Sequence, residues 1–280
     1  MDDKGGPSGS RGESRRFVRV DKDKVLKNVA VITLQRGPSN LLSLGILREL
    51  GEVLDHIEAD ETCRGVILTS SSPGVFCSGL DIEEMYQKEF DSFGSFWHSL
   101  QELWIRLYLS RLVTFAAING TAVAGGCLLA ISCDYRIMVK GPYTFGFPET
   151  VIGLCSPSWV HEMLAGLVGP RRADLSLQLG IEYPVREAAE MGLVDLVVPP
   201  KKLMEASREE MKRWLQIPDF SRVKTKQVVR KPLVMRLRAN PEGDTQDMYS
   251  YVSTEPVQLV LHNVIKKLKS MEVRTRDPKS

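Results

Sequence analysis

Cysteine and histidine are scarce: five and four among 280 residues. Cys63, Cys77, Cys127, Cys133 and Cys155 show no CxxC spacing and no companion histidine cluster. That pattern excludes a disulfide scaffold, points to reduced thiols and predicts no metal site. Long apolar runs are missing as well. Gly, Asp or Arg interrupts each one before it could cross a bilayer, so no membrane insertion is expected. Neither sign of charge dominates, since 37 Lys and Arg face 35 Asp and Glu for a net charge of +2. With no basic-aromatic stripe beside it, that balance argues against a nucleic-acid partner. Low-complexity sequence is confined to residues 1–16, rich in Gly, Ser and charge and expected to form a disordered leader. Asp2, Asp3 and Glu13 do not suit an intact organelle transit peptide, and Asp277-Pro278-Lys279-Ser280 is not a Ser-Lys-Leu address.

What remains is ordinary globular composition, 43% hydrophobic and 26% charged, in a chain long enough to bury a large core. The β-branched run Val25 to Leu34 predicts a strand closed by Arg36-Gly37-Pro38. Leu44, Leu47, Leu50, Val53, Leu54 and Ile57 recur at helical spacing, predicting a helix from Ser43, its N-cap, to Ala59. A buried strand follows over Cys63 to Ser70, a helix over Phe93 to Leu109, and a strand over Val113 to Ile118. Cys127 to Ser132 reads as a short helix and Tyr135 to Val139 as a strand. Beyond Gly153 the pattern is mostly helical: Trp159 to Leu167, Arg171 to Leu179, Val185 to Met191, Lys202 to Leu215, Ser221 to Arg230 and Thr245 to Lys269. A short strand over Leu193 to Val198 interrupts it. The fold class is α/β with a C-terminal α-helical region, divided as leader 1–16, core 17–200 and helical region 201–280.

Three glycine-bearing segments end strands, where α/β folds place ligands. In Phe76-Cys77-Ser78-Gly79-Leu80-Asp81-Ile82 a glycine permits a sharp turn that leaves backbone N–H groups able to bind an anionic oxygen. Taken alone, the segment reads first as a tight strand-to-helix connection. In Asn119 to Cys127 the pair Gly125-Gly126 opens a helix whose positive end adds a second donor, though close helix packing also favours glycine. In Phe145 to Gly153 a single carboxylate, Glu149, is set among apolar residues. Burial disfavours its charged form and raises its pKa toward the range useful for proton transfer; without the other two segments it reads first as a solvated loop carboxylate or a first-turn residue of the following segment.

The three segments in this order resemble the crotonase (enoyl-CoA hydratase/isomerase) superfamily over most of residues 25 to 270. The runs RGVILTSSSPGVFCSGLDIEEM, LQELWIRLYLSRLVTFAAINGTAVAGGCLLAISCDYRIM and VSTEPVQLVLHNVIKKLK are most similar to its mitochondrial isomerase branch. The resemblance implies a crotonase-like spiral of β-β-α turns, an oligomerising C-terminal region, a homotrimer and a mitochondrial matrix location. It further implies an acyl-CoA thioester substrate and no cofactor, coenzyme A being part of that substrate. Carried over by position, the N–H groups of Leu80 and Gly125 form an oxyanion hole. Ser78, Gly79, Leu80, Asp81, Ile82, Gly125 and Gly126 bind substrate, with residues 78–82 along the adenine and pantetheine path, and Glu149 is the catalytic base. Family hydratases carry a second glutamate where this chain has Leu128. Its loss removes a water anchor and favours shifting a 3-enoyl-CoA double bond to the trans-2 position over hydration. A hydratase, another one-base crotonase reaction and a noncatalytic acyl-CoA-binding protein are the alternatives.

Two further departures bear on the CoA contacts. Glu83 stands where several hydratases have Lys, leaving Lys266, Lys267 or Lys269 as alternative phosphate contacts, and Pro148 stands where similar isomerases have Asn. Trp97, Trp104, Phe147 and Trp159 are acyl-pocket or core candidates, His161 and His262 ordinary helix residues, and Asp134 and Asp195 structural caps.

Overall fold

The computed structural model describes residues 16–276, with side chains through residue 270. The leader expected over 1–16 therefore lies outside the described residues, but for Arg16. The first part of the chain runs β1 (Val18–Lys22), β2 (Val29–Leu34), α1 (Leu44–Ala59), β3 (Gly65–Ser70), β4 (Gly74–Cys77), α2 (Phe90–Leu109), β5 (Val113–Ile118) and β6 (Gly120–Val123). It continues as α3 (Gly125–Ser132), β7 (Tyr135–Val139), β8 (Thr144–Gly146), α4 (Ser158–Val168), α5 (Pro170–Leu179), β9 (Glu182–Pro184), α6 (Val185–Glu190) and β10 (Leu196–Val198). Four helices complete it: α7 (Leu203–Leu215), α8 (Asp219–Ala239), α9 (Pro241–Val252) and α10 (Glu255–Arg276).

The strands form two sheets, ordered β1-β2-β3-β5-β7-β10 and β4-β6-β8-β9. Neighbours are parallel except the antiparallel pairs β1·β2 and β8·β9. Three times in succession the chain gives one strand to the first sheet and the next to the second, then crosses through a helix: β3-β4-α2, β5-β6-α3 and β7-β8-α4. This is the expected spiral of β-β-α turns. The inner strands β2, β3 and β5 of the first sheet read as near-continuous apolar runs because both faces are covered, and every residue of β5 is buried, whereas β1 at the edge is exposed beyond Val18.

The differences from the sequence reading have local causes. Val25 and Leu26 are not strand but turn, because the Asp23 carboxylate accepts both their N–H groups at 2.9 Å. The strands β1, β4, β6, β8 and β9 were not expected; β1 is mostly polar and exposed, and the other four, at three or four residues, are too short to show alternation. Ser43 occupies the N-cap of α1 without bonding it, and Glu84 instead accepts the Leu44 N–H at 2.9 Å. The helix expected over Thr245 to Lys269 is two, separated at Ser253-Thr254 just before Pro256, and α8 extends through Pro232 to Ala239.

Candidate active site

The ends of β4 and β6 meet at the N-terminus of α3. Leu42 and Leu80 form an isolated parallel bridge in which Leu42 donates to the Gly79 carbonyl at 2.9 Å and accepts from the Asp81 N–H at 3.1 Å. That geometry turns the Leu80 N–H away from Leu42. Gly125, the first residue of α3, has an N–H that the helix itself cannot pair. Neither N–H has an acceptor among the described residues. Close packing brings the two segments together: a methyl on Gly125 would lie 3.1 Å from Leu80 Cδ2 and 3.2 Å from the Gly79 carbonyl carbon.

The turn from β6 into α3 is made by Ala124 at φ 53°, ψ −123°, a conformation that favours glycine. Its N–H is pinned to the Gly146 carbonyl at 2.8 Å, and such strain typically costs about 1–3 kcal/mol. Sequence reasoning missed this residue; its place just before Gly125-Gly126 at a strand end was the available signal.

Leu80 and Gly125 line a cavity of about 140 Å³ that Glu149 also lines. Glu149 begins a short 3-10 turn, Glu149–Ile152, closed by Gly153 in the left-handed region at φ 70°. Its Oε2 is buried without a hydrogen-bond partner, and burial pushes the carboxyl up to about 7, with only its own backbone N–H acting to lower it. It is the only carboxylate in the lining, and the apolar side chain of Leu128 lines the same cavity. Two unpaired N–H groups beside a carboxylate of near-neutral pKa can hold a carbonyl oxygen as charge develops on it while a neighbouring carbon loses a proton.

Of the expected substrate contacts, Ser78, Leu80, Ile82 and Gly125 line the cavity, whereas Gly79, Asp81 and Gly126 do not. Gly79, at φ 113°, lets its segment pass Ala124, where a methyl would stand 2.8 Å from Ala124 Cβ. Gly126 lets α3 lie on β4, since a methyl there would fall 2.1 Å from the Cys77 carbonyl oxygen. Asp81 pairs with Arg36 at 2.8 Å and accepts the Glu83 N–H. Glu83 itself pairs with Lys269 at 2.8 Å, while Lys266 and Lys267 are exposed.

Trp97, Phe147 and Trp159 line the cavity; Trp104 sits behind, its ring 4.6 Å from that of Trp159. The exposed Cys155 and, from α9, Met248 and Val252 also line it without having been foreseen, for nothing local marks α9, more than a hundred positions downstream, as a neighbour of Gly125. His262 meets the Tyr86 hydroxyl at 2.9 Å on the outside of the molecule. Among the described residues no group of three His, Cys, Asp or Glu side chains could hold a metal ion, and no helix is long and apolar enough to cross a membrane.

Comparison with known proteins extends this geometry. Mitochondrial enoyl-CoA delta isomerase 1 of Rattus norvegicus is 41% identical over 95% of this chain and 92% of its own length. The Homo sapiens protein of the same name is 40% identical over 95% and 88%. The crystal structure of human mitochondrial delta3-delta2-enoyl-CoA isomerase superposes with a TM-score of 0.89, at 40% identity over 91% of this chain and 99% of that one. The description enoyl-CoA hydratase/isomerase fits residues 24–272, which take in every strand but β1, the cavity and all but the end of the C-terminal helices, and by that match the chain belongs to the enoyl-CoA hydratase/isomerase family.

Proposed function

We propose that this protein is an enoyl-CoA delta isomerase that moves the double bond of a 3-enoyl-CoA to the trans-2 position in unsaturated fatty-acid β-oxidation. The observation that carries the reading is the single carboxylate: Glu149 faces a cavity in which Leu128 offers water no second anchor. The thioester oxygen accepts hydrogen bonds from the Leu80 and Gly125 N–H groups. Glu149 takes a proton from C2, the electron pair spreads into a dienolate stabilised at that oxygen, and Glu149 returns the proton at C4. One base suffices, because the proton removed and the proton delivered are equivalent in the balance. Losing one preorganised donor of such a hole costs about 2.7–4 kcal/mol in catalysis. Ser78 and Ile82 guide the pantetheine arm, and Gly79, Asp81 and Gly126 shape that path through the backbone. Coenzyme A enters as part of the substrate, and the proton shift calls on no further cofactor.

The relatives named above as mitochondrial support a mitochondrial matrix location. A homotrimer assembled through the helical region 201–280 is consistent with Phe220 and Val229 of α8, which are 81% and 72% exposed.

Incubating the purified protein and Glu149→Gln with a 3-enoyl-CoA, and separating products by chromatography and mass, tests the reaction. An isobaric 2-enoyl-CoA formed by wild type and lost in the variant is the expected result. A hydrated product would make it a hydratase, and binding without turnover would make it a noncatalytic acyl-CoA-binding protein.

A further inference from the structure

The cavity lining divides into a rim and a wall. Ser78, Ile82, Ser156 and Pro157 at the rim are partly exposed and Cys155 is exposed. The wall is formed by Trp97 and Leu100 of α2, Trp159 and Val160 of α4, and Met248 and Val252 of α9, none more than 8% exposed. The polar, bulky coenzyme A arm of a thioester held at Leu80 and Gly125 does not fit so small a space and leaves through the rim. The apolar tail is left to run along the wall, where each methylene escapes water.

Within the wall one ring is tied to a charge. Trp97 Nε1 donates to Asp244 Oδ2 at 2.8 Å, and the same oxygen accepts from Gln101 Nε2 at 2.8 Å. Gln101, almost fully buried, also reaches the Pro241 carbonyl at 3.2 Å, so the carboxylate knots α2 to the start of α9. Phe93 stacks on the indole with centroids 5.6 Å apart and planes 13° from parallel. Turning the indole aside would break a charge-assisted bond inside a partly buried network and drive the ring into Phe93. Trp159, by contrast, buries its Nε1 without any acceptor and is held by packing on Trp104.

We propose that Trp97, fixed by Asp244, is the stop that sets the longest acyl chain the cavity accepts. Asp244 does not line the cavity and acts as a positioning residue. The inference rests on the isomerase reading for its substrate class. A rigid stop gives a particular signature: affinity climbs with each methylene until the tail reaches the indole and then falls, whereas a yielding wall would let it level off.

Calorimetric binding of saturated acyl-CoAs, from butyryl to palmitoyl, to the wild-type protein should rise roughly fourfold per methylene and then break. In Trp97→Leu the break should move to longer chains; in Asp244→Ala it should soften. In turnover with matching 3-enoyl-CoAs, both variants should raise the ratio of long-chain to short-chain kcat/KM, chiefly through KM. That ratio does not depend on the fraction of folded protein, and if Trp97→Leu does not fold, the wild-type break and Asp244→Ala still decide. A steady rise through palmitoyl, or a break at the same length with the same sharpness in the variants, overturns the proposal. Saturated ligands bind whether or not chemistry follows. A break without isomerisation would therefore remove the isomerase reading and keep the stop, and isomerisation at every length without a break would do the reverse.

Discussion

Glu149 combines two properties of which the first causes the second, a buried oxygen without a partner and a pKa of about 7. As the proposed base it would work only when ionised, so kcat/KM should fall about tenfold per pH unit below 7 and level off above it, as a pH–rate profile will show. Stability should move the other way. The folded-state pKa is raised above the ordinary 4.5, so the contribution of the protonated carboxyl is fully present below pH 4.5 and is lost as pH rises through about 7. Glu149→Gln should therefore be the more stable protein at pH 9, by up to roughly 3 kcal/mol, with the difference shrinking toward pH 4 in denaturant titrations. The opposite residue change tests the missing water anchor. Leu128→Glu should yield some 3-hydroxyacyl-CoA from a 2-enoyl-CoA and lower the isomerase kcat by about tenfold or more, because a second buried carboxylate raises the pKa of the first. The carboxylate, the leucine and both glycine segments were legible as residues. The strained Ala124 was not, because φ and ψ are set by the pinning of its N–H to Gly146, a contact across two strands.

Among the elements, α3 leaves little room for change. All eight of its residues are buried, and its first turn lies against the carbonyl of Cys77 with no room for a methyl at Gly126. Gly126→Ala should cost at least about 3 kcal/mol in a denaturation series and lower kcat further than the stability loss explains, since it lifts the Gly125 N–H away from Leu80. Long periodic helices such as α1 and α2 could be read from sequence because their buried faces recur at helical spacing. The second sheet could not. The segments Gly74–Cys77 and Thr144–Gly146 are specified by pairing with Gly120–Val123, not by their own composition, and only the resemblance to a spiral fold anticipated them.

At the scale of the molecule, one aspartate of the spiral gathers two cations of the helical region. Asp134 accepts the Thr114 N–H at 2.9 Å and pairs with Lys226 at 2.7 Å and Arg230 at 3.0 Å, all three side chains being largely buried. Burial outweighs that pairing at Lys226 and lowers its pKa to about 8. A structural role for Asp134 was legible from its place at a strand end; that it holds two cations from α8 was not, because ninety-odd residues intervene. Removing the shared partner strands two buried cations, so Asp134→Ala should cost about 3–5 kcal/mol by chemical denaturation and expose α8 to limited proteolysis before the sheets. The same architecture governs how such a site can drift over evolutionary time. Both donors proposed for the thioester oxygen are peptide N–H groups, so the side chain at Leu80 can be exchanged without deleting either, and the glycine at 125 is favoured by tight space, not by chemistry. One residue inserted between Cys77 and Leu80, or between Val123 and Gly125, would rotate a donor out of the hole while leaving every side chain in place. The catalytic feature is thus written in loop length, and lineages of this chain should vary there by substitution far more readily than by insertion or deletion.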